Sequence, residues 1–225
     1  MDTSDLGIAI ALIAGAYLVG SIPTSYLVGQ MASGVDIRER GSGNIGASNL
    51  TAQVGAKWAV PVVIFDIGAK GLLPVLVASE KVLDLGIGVE AAAGLAGIAG
   101  HNWSVYSGFH GGRGMATMFG ATLALNLPLL IVYGSVPALG VLFTPWKDSA
   151  VWFLIAMILM PVWAILLNLP SELFWFSVAF AVVAASKRMT SNSLRDSSGT
   201  ISRRLLWTRL VFDRDIVNRE NWIEQ

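Results

Sequence analysis

The chain of 225 residues has no cysteine, which excludes a disulfide framework, a thiol nucleophile and any thiolate metal site. Charge is scarce too: only 13% of residues are Asp, Glu, Lys or Arg, about half of what a soluble domain carries. The histidines number two, His101 and His110, and their spacing does not make a metal site, so neither metal nor other cofactor is expected. No lysine or arginine precedes Arg38, and the leading residues include Asp2 and Asp5. The basic leading region of a secretory signal is therefore lacking, and the first apolar run is expected to be retained. A nucleic-acid partner is not expected.

What is present is apolar. Hydrophobic residues make up 54% of the chain, and they gather into runs near the length of about 20 residues that a bilayer core demands. The runs cover residues 6–28, with a kink near Pro23, then 58–78, then 86–99 continuing into His101-Asn102-Trp103. The stretch from Met115 to Thr144 is too long for one span and is expected to break at Asn126-Leu127-Pro128. Residues 151–167 and 173–185 complete the series. The pattern predicts an all-α integral membrane protein with about seven transmembrane helices, six being the alternative count.

If the spans alternate from an external N-terminus, the inner segments hold 13 of the 15 lysines and arginines, all but Lys70 within a span and Lys81 outside. Basic loops stay on the cytoplasmic side. The distribution therefore favours an external N-terminus, a cytoplasmic C-terminus and an odd number of spans. Residues 1–187 form the membrane domain and 188–225 a polar cytoplasmic tail. In the tail, Ile201, Leu205, Leu206, Leu210, Val211, Ile216 and Val217 recur near helical spacing among Arg203, Arg204, Arg209, Arg214 and Arg219. That pattern suits an amphipathic helix on the anionic inner leaflet, with a solvated tail or a partner-binding helix as alternatives.

Two polar loops stand between the apolar runs, both on the cytoplasmic side of this topology. The first, from Arg38 to Asn49, holds Gly41, Ser42, Gly43, Asn44, Gly46, Ser48 and Asn49. Glycine lets the backbone approach a ligand, and amide, hydroxyl and guanidinium donors are what an oxyanion such as phosphate needs. A solvated connector is the plainer alternative. The Gly41-x-Gly43-x-x-Gly46 spacing matches a dinucleotide fingerprint, but that fingerprint needs a strand before it, and here a membrane helix precedes it. The second loop, Gly108 to Gly114, holds His110, Gly111, Gly112, Arg113 and Gly114, with one fixed cation just ahead of a helix through Thr117. An anion is favoured at such a helix start. Within the second run lie Asp66 and Lys70, four residues apart. Each costs about 2.5–3.5 kcal/mol at a helix centre. They form either a structural ion pair or a site with Lys70 facing a polar cavity.

The motifs agree in order and spacing with one family. Gly20-Ser21-Ile22-Pro23, Arg40-Gly41-Ser42-Gly43-Asn44-Ile45-Gly46-Ala47-Ser48-Asn49, Asp66 with Lys70-Gly71 and Pro74, and Gly100-His101-Asn102-Trp103 with Gly108-Phe109-His110-Gly111-Gly112-Arg113-Gly114 together span about the first 120 residues. The chain resembles the PlsY-type acyl-phosphate:glycerol-3-phosphate acyltransferases of bacterial membranes. The resemblance implies a seven-helix enzyme of the cell inner membrane with its site at the cytoplasmic face. Such an enzyme transfers a fatty acyl group from acyl phosphate to the 1-hydroxyl of glycerol 3-phosphate, giving lysophosphatidic acid and phosphate. It implies Ser42 and Arg113 as catalytic residues. Gly41, Gly43, Asn44, Ser48, Asn49, Lys70, His101, Asn102, His110, Gly111, Gly112, Gly114, Thr117, Arg188 and Asn192 are implied as substrate-binding. Acyl phosphate, glycerol 3-phosphate and membrane lipids are the expected partners. The family usually has arginine where this chain has Ala52, lysines where it has His110 and Arg113, and histidine at Met189 in its final motif. A non-catalytic relative that binds phosphorylated lipid, or an organic-phosphate transporter, are the alternatives.

Overall fold

In the computed structural model, which describes residues 3–190 and 202–215, every named element is a helix. α1 (Thr3–Gly20) and α2 (Thr24–Ser33) are one apolar stretch interrupted at Pro23, whose missing N–H breaks the ladder. The short α3 (Ala47–Gln53) follows the first polar loop. α4 (Ala56–Phe65) widens into a π turn over Asp66–Leu72 and resumes as α5 (Leu73–Ala78). Then come α6 (Ile87–Asn102), α7 (Met115–Leu125), α8 (Leu127–Phe143), α9 (Ser149–Leu166), α10 (Ser171–Met189) and α11 (Arg203–Phe212).

Three stretches are long and apolar enough to cross a membrane: Thr3–Ser33, Ala56–Ala78 and Ser149–Leu166, with α7 and α8 shorter apolar helices. The break expected at Asn126 is where α7 gives way to α8. The Asn126 side chain accepts from the Leu129 amide at 2.9 Å, capping α8 two residues ahead of Pro128. Large apolar side chains face outward, among them Ile10, Ile64, Ile131, Ile158 and Val182. An apolar exterior of this extent suits lipid as its solvent.

With lipid outside, apolar burial does little to hold helices together, and close packing of small residues takes over. α6, with the sequence Ile-Gly-Val-Glu-Ala-Ala-Ala-Gly-Leu-Ala-Gly-Ile-Ala-Gly-His-Asn, is built for this and packs against α1, α5, α7 and α10. A Cβ on Gly97 would overlap the carbonyl oxygen of Lys70, and one on Gly20 would overlap that of Gly97. The crossing brings the π turn, α1 and α6 into backbone contact. An apolar cluster, Ile37, Ile45, Leu50, Ala59 and Val62, lies beneath the first polar loop and ties it to α3 and α4.

Candidate active site

Asn49 organises the first loop. It is 6% exposed, and its amide donates to the carbonyls of Ile37 (2.7 Å), Arg40 (3.1 Å) and Asn44 (3.1 Å), while its oxygen accepts from the Ser42 amide at 3.3 Å. The loop is therefore wrapped around one side chain. Gly41 and Gly43 take left-handed backbone that lets the turns close around it. Arg38 turns away toward Asp36 in a bidentate pair at 2.6 Å, which holds the Asp36 carboxyl below its usual value. Among the described residues, the Ser42 hydroxyl is left with a long contact from the Asn44 amide, 3.4 Å.

The second loop lies back on the end of α6. The Gly112 amide donates to the His101 carbonyl at 3.0 Å. A Cβ on Gly112 would overlap His101 Nε2 and come within 2.9 Å of the Ile45 carbonyl of the first loop. Glycine at this position is what lets the two loops meet. Arg113 extends from the seam: its Nε is 2.7 Å from Asp213 Oδ1, and its guanidinium donates to the Lys187 carbonyl at 3.1 Å.

A cavity of about 530 Å³ opens between the first loop, the start of α7, the start of α9, the end of α10 and the segment after α11. Of the residues expected from sequence, it gathers Gly41, Ser42, Asn44, Ser48, Asn49, Arg113 and Arg188. It also takes in Asp66, Asp148, Phe153, Phe212, Asp213 and Arg214. Ala52 lines it at the position where arginine was the expected type. Its three guanidinium groups are held in place: Arg113 by Asp213, Arg214 by Asp148 at 2.6 Å, and Arg188 by the carbonyls of Leu210 (2.9 Å) and Ala150 (3.1 Å). Fixed guanidinium groups beside serine hydroxyls and glycine amides can bind a phosphate or carboxylate. The wall residues Phe153, Met115 and Ala116 can accept an apolar chain.

Other expected residues lie elsewhere. Lys70 does not line the cavity; it is 1% exposed and forms a buried pair with Asp66 at 2.8 Å, also donating to the Ile22 carbonyl (2.7 Å) and Thr24 (3.2 Å). Placing Lys70 on a polar cavity is thereby corrected: the π turn gives that position to Asp66. His101 sits behind the same pair, its Nδ1 3.6 Å from Asp66. His110 is on the surface, its ring 3.0 Å from the Gly108 carbonyl, outside the cavity. Gly43, Gly111, Gly112 and Gly114 shape the loops without lining the cavity. Asn102 and Thr117 are fully buried, and their side-chain polar atoms meet no hydrogen-bond partner among the described residues. Asn192 lies outside the described residues.

The tail departs from expectation as well. Of the helix expected through Val217, Arg203–Phe212 is helical, while Ile216, Val217 and Arg219 lie outside the described residues; Arg209 and Arg214 point inward, and Arg203 and Arg204 are exposed. Ion pairs with Asp215 and Asp148 draw the two inward. α10 runs through Lys187 and Arg188 to Met189, two residues past the expected domain boundary. Asp148 and Asp213 carried no motif in the sequence, and Arg214 only a place in the tail's amphipathic pattern; folding brings the three to the site.

Residues 10–195 match the family model described as glycerol-3-phosphate acyltransferase. The chain belongs to that family. A relative named glycerol-3-phosphate acyltransferase 5, from Dehalococcoides mccartyi, is 33% identical over 224 residues, covering 96% of this chain and 92% of the relative. A glycerol-3-phosphate acyltransferase from Halalkalibacterium halodurans is 37% identical over 199 residues, covering 84% of this chain and 92% of its own length. Among solved structures, PlsY, an integral membrane glycerol 3-phosphate acyltransferase, in its glycerol 3-phosphate form superposes with a TM-score of 0.72 at 28% identity, covering 84% of this chain and 96% of that one. Its lysophosphatidic acid form gives 0.70. PlsY is an integral membrane protein, and this chain shares its fold. α11 and the turn after it lie past the region that the family model matches.

Proposed function

We propose that this membrane acyltransferase transfers a fatty acyl group from acyl phosphate to the 1-hydroxyl of glycerol 3-phosphate, forming lysophosphatidic acid and phosphate. Acylation of glycerol 3-phosphate is the activity of its family; the acyl-phosphate donor follows from the PlsY-type motifs. One observation carries the assignment to this site: the Ser42 loop and Arg113, some seventy positions apart in the chain, border the same cavity, with Arg188 as a second guanidinium. In the reaction the hydroxyl oxygen bonds to the acyl carbonyl carbon, the bond from that carbon to the phosphate oxygen breaks, and phosphate leaves with the electron pair. The hydroxyl proton passes to a phosphate oxygen of a substrate. Arg113, Arg188 and the loop amides hold the phosphates, and Ser42 orients the reacting groups. Orientation of this kind and fixed donors for developing negative charge supply much of the rate enhancement. Gly41, Asn44 and Ser48 complete the phosphate cradle; Asn49, Gly112 and His101 support its shape.

The chain is placed in the plasma membrane of a bacterium with seven spans, its N-terminus outside and its tail and cavity facing the cytoplasm. The distribution of basic residues supports this orientation. Reporter fusions ahead of Leu6 and after Gln225 are expected to label opposite faces; labelling on one face would overturn the odd count.

Purified protein in detergent, given acyl phosphate and glycerol 3-phosphate, is expected to release inorganic phosphate only when both substrates are present. Binding without release would identify a non-catalytic relative, and vesicle uptake of glycerol 3-phosphate without release a transporter. Arg113→Ala removes a charge-assisted contact of very roughly 1.5–3 kcal/mol, which is about 10- to 150-fold in kcat/KM. Arg113→Lys is expected to retain more activity, because it keeps the charge and loses only the forked geometry. Equal turnover in wild type and Arg113→Ala would remove this residue from the site.

A further inference from the structure

We infer that Asp213 is an internal competitor for the anion site and sets the affinity with which phosphate binds there. The inference rests on the reading of Arg113 as a phosphate-holding residue. Asp213 Oδ1 lies 2.7 Å from Arg113 Nε, and Arg113 Nη2 donates at 3.5 Å to the Asp213 backbone carbonyl. The carboxylate therefore sits, at ion-pair distance, on the Nε side of the guanidinium, which a phosphate oxygen would also approach. Carboxylate and phosphate present closely similar acceptor geometry to guanidinium, so the two compete for one edge.

The turn that carries Asp213 is built to present it. Asp213 follows the last residue of α11 and takes left-handed backbone, φ 55°, which is uncommon for a residue with a side chain. Three contacts hold the turn against the cavity. Arg209 pairs bidentately with Asp215 at 2.6 and 3.0 Å. Arg214 donates to Asp148 at 2.6 Å. Arg188 donates to the Leu210 carbonyl at 2.9 Å. Phe212, Asp213 and Arg214 then form part of the wall of the cavity that contains Ser42 and Ser48.

A carboxylate tethered in the same chain competes at high effective concentration. Free phosphate binds only to the fraction of molecules in which Arg113 has released it, and its apparent affinity falls by that fraction. Asp213 thus raises the substrate concentration at which the site fills. Once a phosphate is seated on Arg113, the Asp213 carboxylate is repelled and the α11 turn is displaced from its place on the wall.

The test is binding of inorganic phosphate and of glycerol 3-phosphate to the full-length chain in detergent, by calorimetry, independent of turnover. Asp213→Asn keeps the shape and removes the charge, and is expected to bind inorganic phosphate on the order of tenfold tighter, the factor for a site docked nine-tenths of the time. Asp213→Glu keeps the charge and is expected to bind weakly, as wild type does. Asp215 does not line the cavity, and Asp215→Asn loosens the turn by weakening its pair with Arg209; it is expected to tighten binding too, and it carries the test if Asp213→Asn does not fold. In an Arg113→Ala background, Asp213→Asn is expected to change nothing. Unchanged or weaker phosphate binding in both Asp213→Asn and Asp215→Asn would overturn the inference and make Asp213 a residue that steadies Arg113. Tighter binding in those variants, in a chain that releases no phosphate from acyl phosphate and glycerol 3-phosphate, would leave the competition standing and refute the acyl-transfer assignment alone.

Discussion

Lys70→Met is the perturbation that most directly tests how the membrane core is held. Lys70 and Asp66 are each 1% exposed and 2.8 Å apart. The ammonium also donates to the Ile22 carbonyl at 2.7 Å, and Thr24 donates to the carboxylate at 3.0 Å. Methionine matches the lysine stem in length and leaves the carboxylate buried with one hydroxyl as its nearest donor. Breaking a buried pair from one side costs about 3–5 kcal/mol, because the other charge stays without its partner. At about 2–4 °C per kcal/mol for a chain of this size, the melting temperature should fall by roughly 6–20 °C. Removing both charges together, as Asp66→Asn with Lys70→Met, leaves no stranded ion. The double variant should therefore be more stable than the Lys70→Met single, with a coupling of about 2 kcal/mol in a double-mutant cycle. Thermal unfolding in detergent, followed by the fluorescence of the eight tryptophans, measures each change. A Lys70→Met melting temperature within about 2 °C of wild type, or a double variant that loses the sum of the two singles, would refute the account.

Three further outcomes are expected. Gly112→Ala introduces a methyl group that overlaps His101 and crowds Ile45; it should cost about 1–3 kcal/mol in thermal stability and lower acyl transfer, since the seam between the loops must open. Asn49→Ala strands three loop carbonyls at about 1 kcal/mol each, and limited proteolysis should cut the chain between Arg38 and Asn49 faster than in wild type. Ser42→Ala loses a hydroxyl whose contact with the Asn44 amide is long, 3.4 Å. It should leave the melting temperature unchanged while kcat/KM falls by about 10- to 150-fold, the worth of one hydrogen bond to a charged group.

The helical class and the places where helices stop were legible in the sequence. Apolar runs of bilayer length must hydrogen-bond internally, so they must be helices. Pro23 and Asn126-Leu127-Pro128 interrupt that bonding locally, and the structure breaks at both. The polar loops were legible for the same local reason: glycine, serine and asparagine clustered between apolar runs have few other uses. Where the side chains of Asp66 and Lys70 lead was not legible. Spacing four apart implied a pair on one face, but the π turn and the glycine crossing with α6 decided that Asp66 borders the cavity and Lys70 is sealed behind it. Nor could the sequence say that Asn49 serves the loop's own carbonyls, because donors within a loop and donors to a ligand look identical in one dimension. The contacts of Arg113 with Asp213, and of Asp148 with Arg214, join residues 100 and 66 positions apart. No periodicity or motif encodes such pairs. They exist only because the starts of α7 and α9 and the ends of α10 and α11 meet at one face of the bundle, where opposite charges come within reach of each other.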